Sequence, residues 1–135
     1  MAYDPVDDVI TMLDENWSSS ITKPNIIKAY DIRAVDLRRG DYVIVGQVSE
    51  SDEYFGIPME FRRVAMVSIM VKTKTSRSRM RELAEEVRRI LRDKDVWREN
   101  GYYLVRLTRA VDMTDRERKV YTIVFDAVLQ KLETV

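Results

Sequence analysis

The stretch that decides the fold is Phe61-Arg62-Arg63-Val64-Ala65-Met66-Val67-Ser68-Ile69-Met70-Val71-Lys72-Thr73. Successive side chains of a strand point to opposite faces, so one face reads Phe61, Arg63, Ala65, Val67, Ile69, Val71 and the other Arg62, Val64, Met66, Ser68, Met70, Lys72. Both faces are apolar in the middle, and such a strand calls for cover on both sides, from its own fold or from a neighbour. The next residues supply one layer of that cover. Thr75-Ser76-Arg77-Ser78 offers several hydroxyls for a helix N-cap, and Met80, Leu83, Ala84, Val87, Ile90 and Leu91 then recur at helical spacing. On the outer side of this helix, Arg81 with Glu85 and Glu85 with Arg89 are spaced as i,i+4 ion pairs.

Upstream of the deciding strand, Arg38-Arg39-Gly40-Asp41 is a turn signal and Tyr42-Val43-Ile44-Val45-Gly46 a short β run. Residues 49–59 between the two strands read as a loop or the tip of a long hairpin. Asn25 to Arg33 reads as an extended segment. A first helix is expected over residues 5–16: Asp4 suits the N-cap, Pro5 the first helical position, and Asp7 and Asp8 the positive end of the dipole. Val6, Val9, Ile10, Leu13 and Trp17 keep the helical spacing, and Trp17-Ser18-Ser19-Ser20 ends it. Downstream, Asn100-Gly101 is a turn. Two long strands, Tyr102 to Val111 and Val120 to Leu132, flank the polar residues 112–118, too many for a two-residue turn, so a projecting hairpin tip is expected. The order is α–β–β–β–α–β–β. The simplest architecture is a single α+β domain over residues 1–135, a mainly antiparallel sheet of four to five strands with two helices packed on one face.

Composition narrows the chemistry. The 135 residues are 45% apolar and 34% charged, with 23 basic and 23 acidic side chains, no His and no Cys. A chain of this length buries about two-thirds of its unfolded surface and needs no disulfide staple. Thiolate zinc sites, Ser–His and Cys–His nucleophiles and the neutral-pH imidazole shuttle are all excluded. The acidic start, Asp4 to Asp8, lacks the basic region of a secretory signal, and no run approaches the length of a membrane span. The expectation is therefore a protein that stays inside the cell that makes it and meets no membrane. Charge is balanced in sum but not along the chain: residues 1–60 carry net −7 and residues 61–135 net +7, and 16 of the 23 basic residues are Arg. Arg pairs with planar carboxylates and phosphates, so acidic and basic faces are expected to meet, within one chain or between copies.

No catalytic constellation stands out. Gly40, Gly46, Gly56 and Gly101 share no phosphate-loop motif. Asp4, Asp7 and Asp8 are accounted for by helix capping. Glu50, Asp52 and Glu53 lack the ligand count and Gly position of a calcium loop. Asp126 lies in an apolar strand on the face of Val124 and Val128, solvated there or paired with an Arg of the adjoining strand such as Arg106. The reading is of a non-enzyme with no metal and no cofactor. The basic run Arg62, Arg63, Lys72, Lys74, Arg77, Arg79, Arg81, Arg88, Arg89, Arg92 supports an alternative, a nucleic-acid-binding module built on residues 62–92, although no aromatics interleave with it to stack bases.

The order of elements resembles that of the tail terminator (tail completion) proteins of long-tailed bacteriophages and related archaeal tailed viruses. The matching stretches are the N-terminal helix, the Tyr42–Gly46 strand, the loop leading to Phe61–Thr73, the Ser76–Leu91 helix with its Leu83-Ala84 core, and the closing strands 102–111 and 119–132. The resemblance implies a structural virion protein, a subunit of a usually hexameric ring that caps the tail tube and joins it to the head connector, with passive contact to DNA in the lumen. It implies residence in the host cytoplasm during assembly and in the virion tail or neck afterwards. By analogy the subunit and partner contacts come from Glu50, Asp52, Glu53, Tyr54 and Phe55 in the 49–59 segment, Arg62 and Arg63 beside it, Arg77 and Arg79 at the helix start, and Asp115, Arg116 and Arg118 at the hairpin tip.

Overall fold

The computed structural model describes residues 4–29, 35–54 and 60–134. Their elements run α1 (Pro5–Asn16), β1 (Asn25–Lys28), β2 (Tyr42–Tyr54), β3 (Glu60–Thr73), α2 (Arg77–Arg92), α3 (Lys94–Glu99), β4 (Leu104–Leu107), β5 (Val111–Asp112) and β6 (Tyr121–Thr134). They form an α+β fold with one mixed six-stranded sheet, ordered β1-β2-β3-β6-β4, with β5 beside β4's end of β6. Among the described residues, no helix is long and apolar enough to cross a membrane.

β3 sits at the centre. It pairs antiparallel with β2 on one side and, from Glu60↔Thr134 to Thr73↔Tyr121 without a break, with β6 on the other. Its odd-numbered residues Ala65, Val67, Ile69 and Val71 are fully buried together with Val43, Val45, Phe125, Ala127 and Leu129. The helices cover that face: α1 lies over β1 and β2, and α2 over β3, β6 and β4. The even-numbered face receives no helix; Val64, Met66, Met70 and Val124 are half-buried there, while Tyr42, Ile44, Thr122 and Val128 are buried. Cover from the chain's own helices thus reaches one side of the deciding strand.

Both predicted helices form. Asp4 caps α1 by accepting the Val6 N–H at 3.0 Å, and Ser76 caps α2 by accepting the Arg79 N–H at 3.1 Å. The six apolar positions of the α2 stripe are all buried. The expected i,i+4 pairs on α2 are replaced by i,i+3 pairs, Arg79–Glu82, Arg88–Glu85 and Arg89–Glu86. Arg88 and Arg89 reach back one turn to a carboxylate nearer the helix start, and Arg79 reaches forward to Glu82, within the same neighbour relation.

Four features correct or narrow the expected architecture. First, β1 runs parallel to β2, because the turn before β2 returns the chain to the end where β1 begins: Asn25 faces Tyr42 and its N–H reaches the Asp41 carbonyl. The pair ends at a close approach, since a Cβ on Gly46 would stand 2.8 Å from the Ala29 Cβ. The Tyr30–Arg33 part of the expected extended segment lies outside the described residues. Second, of the two readings of residues 49–59, a loop or the tip of a long hairpin, the hairpin holds for 49–54, which are strand, the outer half of β2 paired with β3; residues 55–59 lie outside the described set. A register shift between Gln47 and Ser49 leaves Val48 as a bulge, 56% exposed. Third, a short helix, α3, follows α2, with Asp93 ending one and capping the other. It presents only Val96 and Trp97 to the core, too few apolar positions for periodicity to reveal. Fourth, the expected strand 102–111 is split. Between Leu107↔Ala127 and Val111↔Val124 the edge uses one residue more than β6, and Thr108 bridges the gap by bonding both to the Asp126 carbonyl and, through its hydroxyl, to the Asp126 N–H.

The expected outcome at the core is specific. Leu83, fully buried where α2 meets the sheet, should cost about 3 kcal/mol of stability as Leu83→Ala, read from urea unfolding curves with an unchanged m-value.

Candidate assembly surface

The arginines of α2 divide into two stripes with different fates. Arg79 and Arg89 face α1 and the segment that follows it. Arg79 donates from Nε to Asp41 at 2.8 Å and from a terminal nitrogen to the Thr22 carbonyl at 2.7 Å, and it pairs with Glu82. Thr73 donates its hydroxyl to the same Asp41 carboxylate. Arg89 binds Glu86 and the Asn16 carbonyl at 2.9 Å, while Glu86 accepts the Ser18 N–H at 2.6 Å. Glu86 is only 3% exposed. A buried carboxylate is tolerable only when paired and hydrogen-bonded, and here both conditions hold. The Arg89 guanidinium first, and then the Ser18 N–H, hold Glu86 below the ordinary glutamate range against the opposing effect of burial. These contacts close the end of α1 onto α2.

Arg77, Arg81 and Arg88 form the second stripe and look towards β5. With Arg116 from the turn after β5, they surround two contiguous clefts that share Arg77 and Asp112, the first about 270 Å³ in volume. Ala84, Ala110 and Ile123 give the first cleft an apolar floor, and Tyr121 lines the second. The counter-charges are few. Arg88 bonds Glu85 at 3.2 Å and stands 5.4 Å over the Phe125 ring, and Arg77 approaches Asp112 at 3.9 Å. Arg81 and Arg116 have no ion-pair partner among the described residues. Asp112 is held below the ordinary aspartate range, chiefly by hydrogen bonds from the Thr114 hydroxyl and N–H, with Arg77 and Arg116 adding their charge.

The outer half of β2 and the start of β3 make a second charged region. Glu53 pairs with Arg62, and Arg63 reaches Glu50 at 3.7 Å and Asp52 at 3.5 Å across the strands. Gln47 to Glu53 are all exposed, and no described strand pairs with the outer side of β2 beyond Val45.

The sequence-predicted contact residues therefore fall into separate places. Glu50, Asp52, Glu53, Arg62 and Arg63 come together on the β2–β3 arm. Tyr54 is the last residue of β2 there, and Phe55 lies outside the described residues. Arg77 and Arg116 meet in the cleft. Arg79 is drawn into the fold, with its side chain 15% exposed. Asp115 accepts the Glu117 and Arg118 N–H groups and bridges to Val120, so the 112–118 tip is a closed turn with Arg118 at 3.9 Å from Asp115. At its start the Thr114 hydroxyl approaches the Met80 sulfur of α2 at 3.9 Å, and Asp115 to Lys119 beyond are exposed. Arg81, Arg88 and Asp112 belong to the cleft but not to the predicted set. The i,i+4 and i,i+7 spacing of Arg77, Arg81, Arg88 carried that signal.

The remaining candidates have local partners. Asp7 pairs with Lys28, and Asp8 accepts the Tyr102 hydroxyl at 2.6 Å. Asp126 is half-exposed and makes no ion pair among the described residues, so of its two readings the solvated one holds; Arg106 faces Val128 across the ladder. No three carboxylates converge as a metal site among the described residues. The basic run 62–92 is distributed over the arm, the cleft stripe and the inward stripe of α2, three different surfaces. No family model matches the chain, and no curated protein matches it.

Glu86 generates a pH prediction. Its lowered pKa means that its stabilisation is fully present above the unfolded-state value, about 4.3, and is lost as pH falls through the folded-state value. Glu86→Gln should lower stability by about 2 kcal/mol at pH 7 and flatten the loss of stability as pH falls below about 4.3, as followed by urea titrations at a series of pH values.

Proposed function

We propose that this chain is a structural ring subunit of a virus tail, capping the tail tube and joining it to the head connector. The observation that carries the assembly reading is the charge polarity across the sheet. At one side, α1 carries Asp7, Asp8, Asp14 and Glu15 with no basic residue, and the outer half of β2 carries Glu50, Asp52 and Glu53 beside an edge that no described strand pairs. The α2 cleft, β4 and the β5–β6 turn, at the other side, hold Arg77, Arg81, Arg88, Arg106, Arg109 and Arg116. Two different and complementary surfaces on opposite sides of one subunit are what a head-to-tail, heterologous contact requires, and such contacts close into rings when the rotation permits.

The sheet directions support the same arrangement. β1 and β4 are its two edge strands, and they run in opposite senses, so a copy placed beside another in the same orientation would bring an antiparallel edge pair together. The tail assignment itself rests on the resemblance of the element order to tail terminators. In this reading the chain catalyses nothing, binds no cofactor, and has a second copy of itself, the tail tube protein and the connector protein as its partners.

Light scattering over a concentration series, with negative-stain images of the protein alone and mixed with purified tail tubes, tests this reading. Closed hexameric rings, free or seated on tube ends, are the expected result. A strict monomer that ignores tubes and binds duplex DNA with steep salt dependence would overturn it in favour of the nucleic-acid module.

A further inference from the structure

We propose that the arginine-lined cleft between α2 and β5 receives the acidic outer edge of β2, Glu50 to Glu53, from a second copy of this chain. The inference deepens the ring reading, on which it rests, by naming the two surfaces of its joint. On the cleft side, four guanidinium groups, those of Arg77, Arg81, Arg88 and Arg116, stand around an opening whose only carboxylates are Glu85 and Asp112. Arg81 and Arg116 form no ion pair among the described residues, Arg116 acting on Asp112 only through its field, and the planar guanidinium is the side chain best fitted to take a carboxylate through paired hydrogen bonds. The floor of Ala84, Ala110 and Ile123 is small and apolar, so a strand can lie close.

On the donor side, the edge of β2 offers three carboxylates within four residues and backbone groups that no described strand engages. An unengaged edge of this kind invites pairing with another chain unless it is managed. The arm also has reach. From Gln47 to Glu53 it runs seven residues past the end of β1, about 20 Å of strand beyond the helix-covered core. Glu50, Asp52 and Glu53 already bond Arg63 and Arg62 of their own arm, and a carboxylate has lone pairs enough to accept from a second Arg at the same time. Cleft and arm lie on opposite sides of the subunit, so one chain cannot satisfy both within itself, whereas a head-to-tail neighbour satisfies both.

The absence of cysteine from the chain makes the test clean. Two single-cysteine variants, Ser51→Cys on the arm and Glu85→Cys at the cleft rim, replace exposed residues and leave the four arginines in place. Each is treated with a short bifunctional thiol reagent, alone and as an equal mixture. The expected result is a mixed cross-linked dimer formed about tenfold faster than either homodimer, and a fall of at least about tenfold in that rate when Arg81→Glu and Arg116→Glu are added to the Glu85→Cys chain. Circular dichroism verifies that the charge-reversed chain is folded, and Arg81→Ala with Arg116→Ala serves in its place if it is not. Mixed and homodimeric products in equal yield, or a mixed yield indifferent to both arginine substitutions, would overturn the proposal. Loss of salt-dependent DNA binding on those substitutions, with no preferential cross-link, would overturn it by making phosphate the occupant. A mixed cross-link in a protein that never closes on tail tubes would uphold the joint and fail the tail reading. Rings on tubes without this cross-link would do the reverse.

Discussion

The unbroken ladder between β3 and β6 is the constraint on which the other elements depend. Because side chains alternate strictly, fixing Ile69 opposite Phe125 fixes the facing of every residue from Glu60 to Thr73, and with it which side of the sheet can accept helices. The buried set Ala65, Val67, Ile69, Val71 then demands a helical stripe, which α2 supplies with Met80, Leu83, Val87 and Leu91. α1 docks beside α2 and is fastened by the Glu86 and Arg89 contacts to Ser18 and Asn16. A slip of one residue in that ladder would turn the whole fully buried row to the half-exposed face, so register and helix packing are a single decision.

A single helix therefore does three jobs with three stripes of one sequence. Its apolar stripe completes the core, its Arg79 and Arg89 stripe binds carbonyls and carboxylates of the same chain, and its Arg77, Arg81 and Arg88 stripe lines the cleft, Arg77 and Arg88 each with one carboxylate and Arg81 with no ion pair among the described residues. The excess of Arg over Lys fits this division. A guanidinium can serve a carboxylate and a backbone carbonyl at once, as Arg79 and Arg89 both do, where an ammonium offers no fixed fork.

Much of the fold was legible in the residues themselves. Asp4-Pro5 and Ser76 announced the helix starts, and the alternation of Phe61–Thr73 announced the central strand, because caps and periodicity are local physical signals. The parallel β1 was not legible, since strand direction depends on where the chain returns and not on composition. Nor was the split at Thr108–Ala110, where a side-chain hydroxyl substitutes for ladder hydrogen bonds in a segment that still looks extended. The outer half of β2 read as a loop or a hairpin tip because Ser49-Glu50-Ser51-Asp52-Glu53 is a poor strand sequence; pairing with β3 and the Arg62 and Arg63 charges override that propensity. For the candidate surface, composition revealed the opposite charges of the two halves. It did not separate Arg79, spent inside the fold, from Arg81, two residues on and free of ion pairs, because that depends on which way each points from the helix.

The bulge at Val48 makes the length of the arm count in odd and even. Beyond it, Glu50 stands opposite Ala65 and Asp52 opposite Arg63, on the helix side of the sheet, while Ser49, Ser51 and Glu53 take the other side. Removing Val48 alone would restore simple alternation and leave every partner beyond it in place, whereas pairing Val48 as an ordinary strand residue would exchange those two sets and carry Glu50 and Asp52 away from Arg63. Loss or gain of a residue pair would keep the sides and change only the reach. In this fold, then, the arm can lengthen and shorten in steps of two, and a single-residue insertion or deletion beyond Val48 that no second bulge absorbs rewrites which chemical face the arm presents.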